Sequence, residues 1–442
     1  MDGTQETVAA LGQADTALGA AASQARQARL PLATALLFSV ANLGSNMVFA
    51  FFNFAMPQYL DSYHLPPALI GLLANERSFV GGFIQPFVGR LSDRTHTRLG
   101  RRRPFFLVGV PLMVVALLVL GVHPPFVIMI SVVALAGFFL FVAVDPYFAL
   151  MADLTPPAQR GQVGAFLGVT AMLGAILLNL VAGFLWVGHE FVVFLLTAAG
   201  LALAFGITFF TVAEPVHPLE APRIPRNPLR YLGDVLRHRE LTKYIVALGL
   251  FYLGAGGATP FVTLFATKAL GVPKNEAFFL VIIIVLSTAC GALPAGFLAD
   301  RIGKKPVLIV GLALFSAGAL AGSQVPSVAW AIPAMILVGL GNACPTALTI
   351  PFLTELIPVR RTGEFIGLGS CVWSIAQPLG SVCAGALVDS AAPSTYRHAF
   401  IWAGVLIASA AVVMLTLRPL EARAALSADD AVLLPPPVLR EQ

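Results

Sequence analysis

Twelve apolar stretches of membrane-spanning length, basic residues confined to alternate loops, and two echoes between the halves of the chain predict an all-α integral membrane protein. The predicted architecture is twelve transmembrane helices arranged as two pseudo-symmetric six-helix bundles. Only 11% of the 442 residues are charged and 58% are apolar, against roughly 25% charged in an ordinary soluble domain, and mean hydropathy is +0.85. A single soluble core of this size would split into domains, so the bilayer is the solvent to reason with.

A hydrocarbon core of about 30 Å needs about 17 to 25 mostly apolar residues per helix. Such spans run approximately over residues 32–60, 67–91, 104–122, 125–150, 162–187 and 190–212, then 242–267, 277–299, 306–323, 328–354, 364–388 and 398–417. The widest polar stretch between them, Ala213 to Leu241, carries Arg223, Arg226, Arg230, Arg237 and Arg239 among Pro-bearing turns and reads as a linker. The expected organisation is therefore a tail over 1–31, a bundle over 32–212, a linker over 213–241, a bundle over 242–417 and a tail over 418–442. No basic segment leads into an apolar core before Leu30, so no cleavable signal peptide is expected.

Cytoplasmic loops retain Lys and Arg. With both termini in the cytoplasm, all but four of the 27 basic residues fall inside; Lys268, Lys274 and Arg397 lie outside and Arg77 lies within a span. The sequence pI of about 9.2 thus reflects topology and not nucleic-acid binding. A multi-pass protein of the cell (inner) membrane is expected. Cys290, Cys344, Cys371 and Cys383 lie in apolar runs without CxxC spacing or a nearby His, and are read as buried small hydrophobes, not metal ligands. No metal and no cofactor are expected.

The internal repeat appears at loops. Gly89-Arg-Leu-Ser-Asp93-Arg94 follows helix 2, and Gly296-Phe-Leu-Ala-Asp300-Arg301-Ile-Gly303-Lys304-Lys305 follows helix 8. Asp153-Leu-Thr-Pro156 leads to Arg160-Gly161 after helix 4, and Glu355-Leu-Ile-Pro358 leads to Arg360-Arg361-Thr-Gly363 after helix 10. Two echoes at nearly one offset mark a transporter built from duplicated bundles.

The run Gly296 to Lys305 resembles the signature loop of the major facilitator superfamily. Its first copy, Gln85-Pro-Phe-Val-Gly-Arg-Leu-Ser-Asp93-Arg94-Thr-His-Thr-Arg98-Leu-Gly100-Arg101-Arg102-Arg103-Pro104-Phe105, holds four extra residues between Asp93-Arg94 and Gly100-Arg101. That spacing, with Ala149-Leu-Met-Ala-Asp153-Leu after helix 4, resembles the sucrose:proton symporter group and its bacterial relatives among the glycoside:cation symporters. The resemblance covers about 40 residues and implies sugar transport coupled to protons. It also aligns Gly137 with the position where the plant sucrose carriers have a proton-binding Asp in helix 4.

Independently of resemblance, a carboxylate beside Arg at a helix end, with Gly permitting a tight turn, can brace neighbouring helices in one state and release them in another. The expected latch is Gly89, Asp93, Arg94, Gly100, Arg101, Arg102, Asp153 and Arg160 in the first half, and Gly296, Asp300, Arg301, Gly303, Lys304, Lys305, Glu355 and Arg361 in the second. Arg98 and Arg103 can equally serve topology alone.

An acid inside the membrane is a functional hypothesis by default. Glu76 and Arg77 lie about ten residues into helix 2, and Asp145 about two turns from the end of helix 4. Either Glu76 or Asp145 is expected to carry a coupling proton; the alternative is a structural ion pair of Arg77 with one of them. On helix 1, Asn42, Asn46, Phe49 and Asn53 share one face. They can line a sugar site, amides to hydroxyls and ring to pyranose, or serve as interhelical polar contacts. Further lining candidates are Asn179, Tyr252, Thr259, Asn342, Trp373 and Gln377, with a flexible point at Gly254 to Pro260.

The chain is expected to be a secondary transporter of a sugar or glycoside, such as sucrose or maltose, working by alternating access with a coupling proton or sodium ion. It is expected to function as a monomer and not to be an enzyme: no Walker-type phosphate loop is present and the seven His are dispersed. The alternatives are a proton-coupled efflux carrier for apolar or cationic compounds and a non-transporting sugar sensor.

Overall fold

The computed structural model describes residues 30–156, 159–214, 239–356 and 362–418. Most of the expected linker, the tails and Arg361 lie outside the described residues. Twelve helical spans follow one another: α1 (Leu32–Asp61), α2 (Pro67–Ala74 and Glu76–Arg94), α3 (Arg103–Gly121), α4 (Phe126–Leu154), α5 (Arg160–Leu185), α6 (Glu190–Thr211), α7 (Arg239–Lys268), α8 (Lys274–Ile302), α9 (Lys304–Gln324), α10 (Val328–Leu356), α11 (Thr362–Ala386) and α12 (Arg397–Leu415). Ten of these are by themselves long and apolar enough to cross a membrane, the others being α2 and α11. Large apolar side chains such as Phe184 and Phe210 stand exposed on the bundle, as a lipid-facing surface requires.

The two halves repeat one packing scheme. In the first, α1 packs on α5 and α6, α3 on α4 and α6, and α2 on α4; in the second, α7 packs on α11 and α12, α9 on α10 and α12, and α8 on α10. The halves meet where α2 lies on α11 and α5 on α8. Small residues set these distances, since apolar attraction between helices is weak in lipid and close backbone approach matters more. A Cβ on Gly341 of α10 would lie 2.3 Å from the Phe315 backbone nitrogen on α9, and one on Gly174 of α5 would lie 2.3 Å from the Leu43 carbonyl on α1.

Three departures from regular helix were not read from the sequence in this form. α1 carries a π-helical turn at Phe51–Ala55, and α7 a 3-10 turn at Thr259–Phe261, within the expected flexible point. α2 is not the single helix expected over 67–91: it breaks at Asn75 (φ −112°, ψ 10°) and its inner piece runs on to Arg94. A fourth correction concerns cysteine. Cys344 is buried as expected, but Cys290, Cys371 and Cys383 are exposed on the helix bundle, because an apolar run in a membrane protein is often turned to lipid or cavity and not to a core.

Candidate functional site

The α2–α3 loop, the α8–α9 turn and the adjoining ends of α4 and α10 share the basic end of the bundle. There, Arg102 is almost fully buried. Its guanidinium holds Asp93 at 2.6 Å and Asp153 of α4 at 3.3 Å, and also bonds Ser92. Arg101 reaches the same Asp153 oxygen at 2.9 Å. Partial burial works against the Arg101 charge, but the bond to Asp153 and the nearby Asp93 and Glu214 more than offset this and hold the guanidinium above its ordinary range. Glu214, just past α6, accepts from the Arg102 backbone N–H at 2.9 Å. Gly100 turns the chain over it with φ +107°, and a Cβ there would lie 2.3 Å from Glu214 Oε2. Sequence reasoning assigned Glu214 no role, because nothing local marks a lone acid at a helix exit. Arg103 bonds the Phe209 carbonyl and covers the Phe209 ring at 4.4 Å, tying α3 to α6. Arg160 contacts the Thr155 carbonyl at 3.4 Å.

The second-half copy is engaged differently. Lys304 pairs with Glu355, and Lys305 donates to the Leu417 carbonyl at 2.7 Å. Gly303 has φ +91°. Asp300 and Arg301 are exposed and have no partner among the described residues. Gly89 and Gly296 face open space, and Arg94 is exposed.

The intramembrane acids sit at the break in α2. Glu76 and Arg77 are both buried. Arg77 donates to Asn53 in the π turn of α1 at 2.7 Å and to the Ala74 carbonyl at 3.1 Å, with the rings of Phe49 and Phe52 5.4 Å and 6.0 Å from its guanidinium carbon. Among the described residues Arg77 makes no direct ion pair with Glu76 or Asp145: it is held by an amide, a carbonyl and two rings, adjacent helix positions pointing about 100° apart, while its charge still acts on the neighbouring Glu76. The Glu76 carboxyl instead lies against α4, in the recess left by Gly137. A Cβ on Gly137 would lie 2.7 Å from each Glu76 oxygen. No side chain among the described residues donates to either oxygen; the Gly137 backbone N–H and the neighbouring Arg77 charge are what act on the carboxyl. Asp145, half-buried, is bonded by Gln85 of α2 through one oxygen only.

Several candidate lining amides are spent on protein partners. Asn42 donates to the Leu167 carbonyl of α5 at 2.7 Å, and Asn46 to Asn42 Oδ1 at 3.1 Å. Asn179 is fully buried and donates to Ala175 at 2.8 Å. Gln377 donates to Asn75 at 2.9 Å. Tyr252, Asn342 and Trp373 are half-buried, with no side-chain hydrogen bond among the described residues. A cavity of about 230 Å³ opens between α7, α8, α9, α10 and α12, with Phe54 of α1 and Met172 of α5 closing it. Only Thr259, Thr288 and Asn342 of its twenty described lining residues bear polar side chains. Both threonine hydroxyls are already donated to backbone carbonyls, Ala255 and Ile284.

Polar contacts between the halves gather at the end opposite the basic loops. Gln58 donates to the Thr263 carbonyl at 2.9 Å, Thr263 to the Phe54 carbonyl at 2.9 Å, Asn275 accepts from the Val187 N–H at 2.8 Å, and Lys268 pairs with Asp61 at 2.8 Å. The protein is closed at that end.

A profile of the Major Facilitator Superfamily matches residues 38–283 and 244–440, which together take in almost all the described helices. The chain belongs to the major facilitator superfamily. It is a multi-pass membrane protein of that superfamily, and it spans less than half the length of the first curated relatives it matches. Within this superfamily it is 26% identical over 360 residues to the multidrug resistance protein MdtG of Salmonella paratyphi C, covering 79% of this chain and 85% of that one. A 106-residue stretch is 33% identical to an uncharacterised MFS-type transporter of Mycobacterium tuberculosis, but spans only 18% of that protein's length. In three dimensions it is similar to a bacterial homolog of the human lysosomal transporter Spinster in an inward-facing and occupied conformation, with TM-score 0.68, 16% identity, and coverage of 89% of this chain and 97% of that one.

Proposed function

We propose that this superfamily member is a proton-coupled carrier of small apolar or amphipathic compounds, with its basic end in the cytoplasm and Glu76 taking up and releasing the proton. The observation that carries the coupling is the Glu76 carboxyl in the Gly137 recess, with no side-chain donor among the described residues on either oxygen. An acid in a membrane is costly and kept only for a use, and one held by no side-chain donor can exchange its proton as the cavity changes sides. The carboxyl of α2 stands where a side chain on α4 would stand, so α4 needs no acid of its own at that level. The apolar lining supports the substrate class, because a sugar leaves its hydroxyls unpaired in a cavity offering one uncommitted amide. The similarity to a protein named for multidrug resistance points the same way.

A glycoside is the second reading. It is favoured by the loop spacing from Asp93 to Arg103 and by Tyr252, Trp373 and Asn342, half-buried side chains with no side-chain hydrogen bond among the described residues. Purified protein in proteoliposomes with an imposed pH gradient separates the two. Ethidium accumulation that discharges the gradient, and is lost in Glu76→Gln with exchange retained, supports the first reading. Proton flux with sucrose or maltose and none with ethidium replaces it by the second.

A further inference from the structure

At the break in α2 the helix, which lies on α11 throughout, takes α4 of its own half as a second main partner. The outer piece, Pro67–Ala74, lies on α11 of the other half: a Cβ on Gly71 would be 2.5 Å from the Ser381 carbonyl oxygen, and one on Gly385 2.6 Å from Pro67 O. The inner piece, Glu76–Arg94, stays on α11 through Gly82, where a Cβ would lie 2.7 Å from Ser374 Cβ, and adds α4 of its own half, with Gly81 against the Phe141 ring and Glu76 against Gly137. Between the pieces stands Asn75, fully buried. Its amide donates to Ser381 Oγ at 2.7 Å and its carbonyl oxygen accepts from Gln377 at 2.9 Å. Ser381 in turn donates to the Gly256 carbonyl of α7 at 2.7 Å. One side chain thus ties the break in α2 to two helices of the other half, one residue from Glu76.

We propose that Asn75 is the positioning residue through which the state of Glu76 controls opening of the closed end, α2 hinging at this residue as its outer piece parts from α11. The inference rests on the reading of Glu76 as the proton carrier. Opening that end separates α2 from α11 and breaks both bonds of the Asn75 amide, which stays buried in the closed state only because donor and acceptor are both matched. A shift of the Glu76 carboxyl out of the Gly137 recess rotates the first turn of the inner piece and misaligns that match.

The test follows hydrogen–deuterium exchange of the full-length protein in nanodiscs at pH 5.5 and pH 8.0, corrected for intrinsic rates, in the α1–α2 turn (residues 62–66) and the α7–α8 turn (residues 269–273). The wild type is expected to differ between the two pH values and Glu76→Gln to lose that difference. Asn75→Ala is expected to exchange about tenfold faster in both turns, the worth of two hydrogen bonds, and to lose the pH difference although Glu76 is present. Gln377→Ala, which removes one bond from the other half, is expected to shift in the same direction by less and keeps the test open should Asn75→Ala not fold. Retention of the full wild-type pH difference in Asn75→Ala or, where that variant does not fold, in Gln377→Ala overturns the inference while leaving Glu76 as carrier. Retention in Glu76→Gln overturns the Glu76 reading and the inference with it.

Discussion

At the scale of single residues, two small gaps in the packing decide what the charged groups can do. Gly137 leaves room for a carboxyl from the neighbouring helix, and Gly137→Ala puts a methyl 2.7 Å from both Glu76 oxygens. Overpacking of this kind costs about 1–3 kcal/mol. The variant is expected to lose proton-driven accumulation while melting only a few degrees lower, and unchanged coupling would show that the recess has no part in it. Arg102 serves Asp93, Asp153 and Ser92 at once. Removing one partner of a buried pair costs about 3–5 kcal/mol, and the cost here falls below that because Asp93 is 57% exposed and Arg101 still holds Asp153. Arg102→Ala is expected to lose about 2 kcal/mol of stability, read from thermal unfolding in detergent. Arg102→Lys is expected to recover little of it, since an ammonium cannot span two acids and a hydroxyl as the planar fork does.

At the scale of elements, irregular backbone marks the places where halves and helices meet. The π turn of α1 presents Asn53 to Arg77, the 3-10 turn of α7 lies against that same region, and α2 breaks at Asn75. Regular helices elsewhere pack through glycine. Gly341→Val directs a side chain at the Phe315 backbone 2.3 Å from its Cβ position, where nothing flexible can yield. This variant is expected to lose its monodisperse peak in size-exclusion chromatography, whereas Gly206→Ala, whose Cβ meets nothing within 4 Å, is expected to behave as wild type. Similar behaviour of the two would mean that glycine does not set the spacing of α9 and α10.

At the scale of the whole molecule, the protein is closed at one end by contacts that alternating access must break and remake. The Asp61 to Lys268 pair is partly exposed, at 16% and 39%, so its worth is at most about 1 kcal/mol. Lys268→Asp is expected to raise exchange in the adjoining turns by less than about fivefold, and the double exchange Asp61→Lys with Lys268→Asp to restore it. Failure of the double variant to restore exchange would assign the closure to the Gln58, Thr263 and Asn275 contacts instead. Span count and the duplicated halves were legible from sequence, because hydropathy and charge bias act on each helix separately and leave their mark residue by residue; of the expected latch, the structure brings together Asp93, Arg101, Arg102 and Asp153, whereas Asp300 and Arg301 have no partner among the described residues. Glu76, Arg77 and Asp145 were legible for the same reason, as polarity where polarity is costly. What the sequence could not carry was partnership. Asn42 and Asn53 share a helix face and look alike in sequence, yet one binds a carbonyl of α5 and the other an arginine of α2. Asn75, Glu214 and the Gly137 recess have meaning only through residues 60 to more than 300 positions away. By itself the sequence determined that this chain is a membrane bundle of two repeated halves, since transfer into lipid is a local property of each segment. Only the tertiary structure decided which buried polar groups are satisfied and which acid is left without a side-chain donor, because a hydrogen bond depends on the position of two groups and the chain order records only one at a time.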